Sequence, residues 1–324
     1  MRIPSDDILR EGTSMRLLTG VAESLYWGAR YMERAESTSR IVLQYLDVNM
    51  DLPDAHEIPW RPLLLLTAPP EGAPWTENPS EDKALDWLLV DPDNLDGVVT
   101  LLGNARTNLR RCWFVAPPEI WESASSINQT AVAAADGLPS RPARYDFLLN
   151  VISDTSRLVA VMSEDLSRSE AFAFWQMGRA IEQAGMTVRA VQIKADAFSS
   201  RDPKSESAFD DIEWMSLLKA LVANQIYRMS AGARVTAEDA IGFLLTNPRF
   251  PRSVQHCMSV LADLAATLPD GEPIAAAALA VQEQARGVPA DNWRADLPEF
   301  LESLAVALTE LNNLIEATYW RADD

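Results

Sequence analysis

Two cysteines and two histidines are all that this 324-residue chain offers to thiol or imidazole chemistry. Cys112 and Cys257 lie far apart, with no CxxC spacing and no ligand cluster around them, so neither a disulfide framework nor a structural zinc site is indicated. His56 falls in a proline-rich stretch. His256 directly precedes Cys257, but adjacent helical residues point ~100° apart, which works against a nucleophile pair. Glycine (13) and proline (20) are too few for a collagen-like or largely disordered chain. Long apolar runs are missing: Ile274–Val281 is the longest, against the ~20 residues that span a bilayer, so no membrane span is expected. Residues 1–12 carry Asp6, Asp7 and Glu11 and no apolar core, unlike a secretory signal, and Met15 is an alternative start. A cytoplasmic protein with free thiols is therefore expected. Positive charge is also scarce: 28 basic against 47 acidic residues gives a net −19, which repels nucleic acid. Walker and Rossmann phosphate loops, G-x-S-x-G and HExxH are absent too, so no cofactor and no metal site are expected.

What is present is helical periodicity. Apolar residues recur at three- and four-residue spacing over stretches too long for strands. Helices are expected near 17–48, 81–90, 94–115, 117–135, 144–165, 169–197, 209–232, 237–245, 250–267, 274–286 and 296–320. In the last of these, Asp296 and Glu299 resemble a cap, and Leu297, Leu301, Leu304, Leu308, Leu311 and Ile315 follow one face. Seven prolines between residues 52 and 79 predict an irregular excursion, and the polar stretch 197–210 predicts a loop.

One internal repeat stands out, at an offset of 149 residues. Arg30-x-x-Glu33-Arg34-Ala35-x-x-Thr38-x-Arg40-x-Val42 overlies Arg179-x-x-Glu182-Gln183-Ala184-x-x-Thr187-x-Arg189-x-Val191, with six identities in thirteen positions. The expected architecture is an all-α helical bundle built from two related helical units. Residues 1–14 form an N-terminal extension, 15–143 the first unit with its proline-rich excursion at 52–79, and 144–324 the second, together in one compact domain.

The two copies differ in their surroundings. In the first, Glu23, Arg30, Glu33, Arg34 and Ser37 oppose the apolar face of Val21, Leu25, Ala29, Met32, Ala35, Val42 and Leu46, and alone would be read as solvated. In the second, Phe172, Trp175, Met186 and Ala190 surround Arg179 and Glu182, so that helix is apolar nearly all round and predicts burial. Buried charges need partners. Arg179 and Glu182 can meet along their helix, or can meet Arg30 and Glu33 across a pseudo-twofold axis. Three readings stay open for Arg30, Glu33, Arg34, Arg179 and Glu182: a buried ion network, a ligand site, or a solvated face. Acid/base work by Glu33 and Glu182 is disfavoured, because adjoining arginines depress both carboxyls.

The interval Gly97–Pro118 lacks acidic residues and holds Arg106, Arg110 and Arg111. Arg106 and Arg110 share a helix face and form a candidate anion-binding pair, with pairing to acidic faces of the fold as the alternative. Ten tryptophans, among them Trp27, Trp60, Trp75 and Trp121, are read as core anchors.

Residues 15–40, with Tyr26-Trp27 and Glu33-Arg34-Ala35-Glu36, resemble the opening of the bacterial alpha-E family of helical proteins. Asn104-Ala-Arg106 with Arg110 and Trp121, Glu164–Arg168 with Gly178-Arg179-x-x-Glu182, and Asn247-Pro-Arg249 with Pro251-Arg252-Ser-Val254 resemble its later blocks in order. The chain departs from the family where Gln183 replaces the second arginine. The resemblance implies operons that also encode ATP-grasp ligases and transglutaminase-like peptidases, and so a role in making or attaching peptides. An accessory protein is expected, binding an ATP-grasp-type ligase or a peptide substrate without catalysis of its own. The alternative is an amide-forming or amide-cleaving enzyme with a polar Arg/Glu pocket. Homo-oligomerisation stays open.

Overall fold

The computed structural model describes residues 17–52, 58–67, 78–134, 137–138, 140–199, 210–232, 234–289 and 292–320. The N-terminal extension, Met15, His56, Trp75 and most of the polar stretch 197–210 lie outside the described residues. Every regular element described is helical.

The long helices α1 (Thr19–Asp51) and α6 (Glu170–Ser199) form the centre. The Leu17 amide donates to Glu170, Gly178 abuts Tyr26, and Glu33 meets Arg179 and Gln183. Contacts thus advance together along both helices, which run parallel. Gly178 makes the approach feasible, since a Cβ there would stand 2.3 Å from the Tyr26 carbonyl oxygen. α2 (Glu81–Leu89) precedes α3 (Val98–Arg111), α4 (Pro118–Ala134) and α5 (Arg141–Asp165). α3 and α5 pack on α1, with α4 between them.

After α6 come α7 (Asp210–Ala220), α8 (Asn224–Ala231), α9 (Ala237–Thr246), α10 (Val254–Ala265), α11 (Glu272–Arg286) and α12 (Trp293–Tyr319). α10 and α12 cover α6, and α11 bridges them. The single helix expected over 209–232 is two. Val222 adopts φ +59°, and the Ala223 amide donates to the Leu218 carbonyl, which closes α7 in a left-handed turn. The expected proline-rich excursion contains a 3-10 turn, Arg61–Leu66, packed against α6.

The core is continuous around both central helices. Val21, Leu25, Ala29 and Met32 of α1 are buried with Trp175, Met177, Met186 and Ala190 of α6. α6 is enclosed on all sides, as its sequence requires. α1 is enclosed as well: Glu33 and Ser37 are buried although they oppose its apolar stripe, and Glu36, Thr38 and Ser39 are buried too. The solvated reading of that stripe is therefore corrected for Glu33 and Ser37, because α6 and the turn before α10 cover them.

Candidate functional site

Between α1 and α6 the repeated residues pair reciprocally. Arg30 donates to Glu182 at 2.8 Å, and Arg179 donates to Glu33 at 3.2 Å. Arg179 and Glu182 show no ion pair with each other along their own helix; each reaches across to α1. Arg34 adds a second guanidinium on Glu182 at 2.5 Å and also binds Asp96. In the other copy Gln183 stands in for that arginine and donates to Glu33 at 3.0 Å. A neutral amide thus preserves the hydrogen bond that the substitution had put in question.

Asp96, Arg252, Glu36 and Asn312 complete the network and were not anticipated as its members. Asp96 is set by the buried Asn94, whose amide donates to the Trp87 carbonyl while its oxygen accepts from the Asp96 amide. Arg252 precedes Ser253, which caps α10 by accepting from the His256 amide; Thr187 holds the Arg252 carbonyl at 2.7 Å. Arg252 thereby reaches both Glu33 and Glu36. Glu36 also pairs with Arg40 at 2.8 Å. From α12, Asn312 accepts from Tyr26 at 2.7 Å and from Arg30 at 2.5 Å. The signal for Arg252 was its place in the Pro251-Arg252-Ser motif; Asp96, in a loop, had none.

Burial alone would raise the Glu182 carboxyl, but Arg34 and Arg30 outweigh it and hold the group well below the ordinary carboxylate range. Glu33, fully buried, is lowered in the same way by Arg252 and Arg179. Such depressed groups stabilise the fold fully above their unfolded pKa of ~4.3, and the contribution is lost as pH falls through the lower folded values. We therefore expect the urea midpoint to fall steeply as acid is added below about pH 4, and Glu182→Gln to flatten that fall. Equal acid slopes in the two proteins would refute the assignment.

The thiols take no part in such chemistry. Burial pushes both Cys112 and Cys257 up to about 12. Cys257 faces the Pro251 carbonyl, whereas His256 faces the Pro248 carbonyl at 3.0 Å, so the two do not pair. Among the described residues no group of three or more His, Cys, Asp or Glu could hold a metal. No described helix is long and apolar enough to cross a membrane.

Arg106 and Arg110 lie elsewhere, on the outer face of α3. Both guanidiniums stand over the Trp121 ring of α4, at 5.0 and 5.8 Å. Neither forms an ion pair among the described residues, so the alternative of pairing with acidic faces is not what the fold adopts. Beside them Arg111, Trp113 and Trp121 line an open groove, with Trp113 71% exposed. Trp60 is a core anchor, whereas Trp27 and Trp121 are only partly covered.

Glu33-Arg34, at the centre of the network, is the one Glu-Arg dipeptide in the chain. A family model described as Alpha-E, a predicted alpha-helical domain with a conserved ER motif, matches residues 17–320. The chain belongs to the Alpha-E family. In this Alpha-E protein the Glu-Arg dipeptide ties α1 to the rest of the fold in two directions, Glu33 to Arg179 and Arg252, and Arg34 to Glu182 and Asp96. No curated protein and no solved structure matches the Alpha-E chain.

Proposed function

We propose that this protein is an accessory component of an ATP-grasp-associated peptide ligation or modification system, located in the cytoplasm, and that it acts by binding a partner. The arginine–tryptophan surface at the α3–α4 junction carries the reading. Among the described residues Arg106, Arg110 and Arg111 form no ion pair, in a chain of net charge −19, and they lie beside Trp113 and the half-exposed Phe114. Exposed aromatic and arginine side chains supply much of the energy of protein interfaces. A partner segment combining carboxylates with apolar side chains fits this patch. The ATP-grasp connection comes from the family's operon context. Glu33 and Glu182, each held ionised by two guanidiniums, suit a docking network and work against proton delivery near neutral pH.

We also propose that α1 and α6 head two related helical units, on the 149-residue offset and the reciprocal Arg30–Glu182 and Arg179–Glu33 pairs.

The partner reading is tested by co-purification with an ATP-grasp-type ligase from the same genome. Wild type is expected to retain the ligase, and Arg106→Glu with Arg110→Glu to lose it at least tenfold. Undiminished retention by the double variant would take the interface away from this patch.

A further inference from the structure

The two copies of the motif differ in how their last arginine is satisfied. Arg40 lies one turn beyond Glu36, and Glu36 accepts from Arg40 at 2.8 Å and from Ser156 at 3.3 Å. At the 149-residue offset Arg189 takes the place of Arg40, and Gly185 takes the place of Glu36. The carboxylate is deleted and the guanidinium is kept. Among the described residues, the only hydrogen-bond acceptor for Arg189 is the Leu66 carbonyl at 3.4 Å, and no carboxylate lies within ion-pair reach. A Cβ built on Gly185 meets nothing within 4 Å, so the space beside it is open, and residues four apart share a helix face.

Each side of the network sets three arginines against two carboxylates, and the direct contacts, not the count, give the same location. On this side of the network the carboxylates that Arg30 and Arg34 contact among the described residues are Glu182 and Asp96, and neither is within ion-pair reach of Arg189. On the opposite side Arg40, Arg179 and Arg252 each touch a carboxylate. Among the described residues Arg189 is thus the arginine of the network without a carboxylate contact: burial and the neighbouring Arg34 act against its charge, and Glu182 and Asp96 favour it only at longer range. Arg189 is partly buried, where an unpaired charge is costly, and guanidinium binds carboxylate or phosphate in a bidentate manner. We propose that Arg189 and the open space beside Gly185 bind the oxyanion of a ligand, a carboxylate or a phosphate, in the position that Glu36 fills in the other copy. The proposal is independent of the partner surface on α3 and α4.

Thermal midpoints in sodium acetate or sodium phosphate, compared with sodium chloride at equal ionic strength, test it on the full chain. A ligand that binds only the folded state stabilises by mass action, so a rise of ~1–3 °C is expected for wild type at saturating oxyanion. A response confined to acetate identifies a carboxylate site, and one confined to phosphate a phosphate site. Arg189→Gln should lose the rise. Gly185→Glu should supply the missing carboxylate internally: its midpoint rises in chloride and no longer responds to oxyanion. A wild type indifferent to all three salts overturns the proposal, as does a Gly185→Glu variant that responds as fully as wild type. Should Arg189→Gln fail to fold, the wild-type and Gly185→Glu measurements decide alone.

Discussion

Glu33→Gln is expected to lower the unfolding free energy by ~3–5 kcal/mol, because removing one member of a buried ion network leaves its partners desolvated and unpaired. Glu33 is fully buried and accepts from Arg179, Arg252, Gln183 and Ser37. Without its charge the guanidiniums of Arg179 and Arg252, 16% and 12% exposed, face each other across a neutral amide. Glu283→Gln is the control: its pair with Arg286 is solvent-exposed on both sides and belongs to the class worth under ~1 kcal/mol. Urea melts of the two variants check the contrast. A Glu33→Gln loss as small as that of Glu283→Gln would show that the network is solvated.

Gly178→Ala is expected to cost ~3 kcal/mol or more, at or beyond the upper end of overpacking penalties, although alanine is the better helix former by ~1 kcal/mol. The added methyl would lie 2.3 Å from the Tyr26 carbonyl oxygen, and the obstacle is backbone, so the two central helices must separate. Separation would lengthen the Arg30–Glu182 and Arg179–Glu33 bonds together. Gly242→Ala, where nothing lies within 4 Å, should instead gain ~0.5–1 kcal/mol. A neutral Gly178→Ala melt would mean that the helices do not approach so closely.

The helical class, most element positions and the cross-pairing of α1 with α6 were legible in the sequence because each is written in local periodicity or in repetition. The burial of Arg179 and Glu182 was half legible: Glu182 is 3% exposed and Arg179 keeps 16%. Taken alone the Glu33 stripe looked solvated, since a wheel shows one helix at a time and cannot show what another helix lays over it; the apolar surroundings of Arg179 and Glu182 were what pointed to a buried network. Arg252 was marked by its motif but not as a partner of Glu33, and Asp96 was not marked at all, for the related reason that their positions depend on turns held by Ser253 and Asn94. The break after α7 escaped because a β-branched valine occupies the left-handed position where glycine is the usual signal. At the α3–α4 surface the arginine pair was visible, but its seat on Trp121 required the geometry of the helix hairpin.

The parallel pairing of α1 and α6 also sets an order of events during synthesis. Glu33 leaves the ribosome 219 residues before Arg252, the guanidinium nearest to it in the finished fold. At ~5–20 residues per second that interval lasts ~10–45 s, during which α1 can fold against α3 and α5 but holds an acid whose counter-charges have not been made. Packing of α3 and α5 on α1 leaves the flank that α6 covers without its partner. The nascent chain stays open along one flank of α1 until α6 and the turn before α10 have emerged, which makes the second half a folding template for the first.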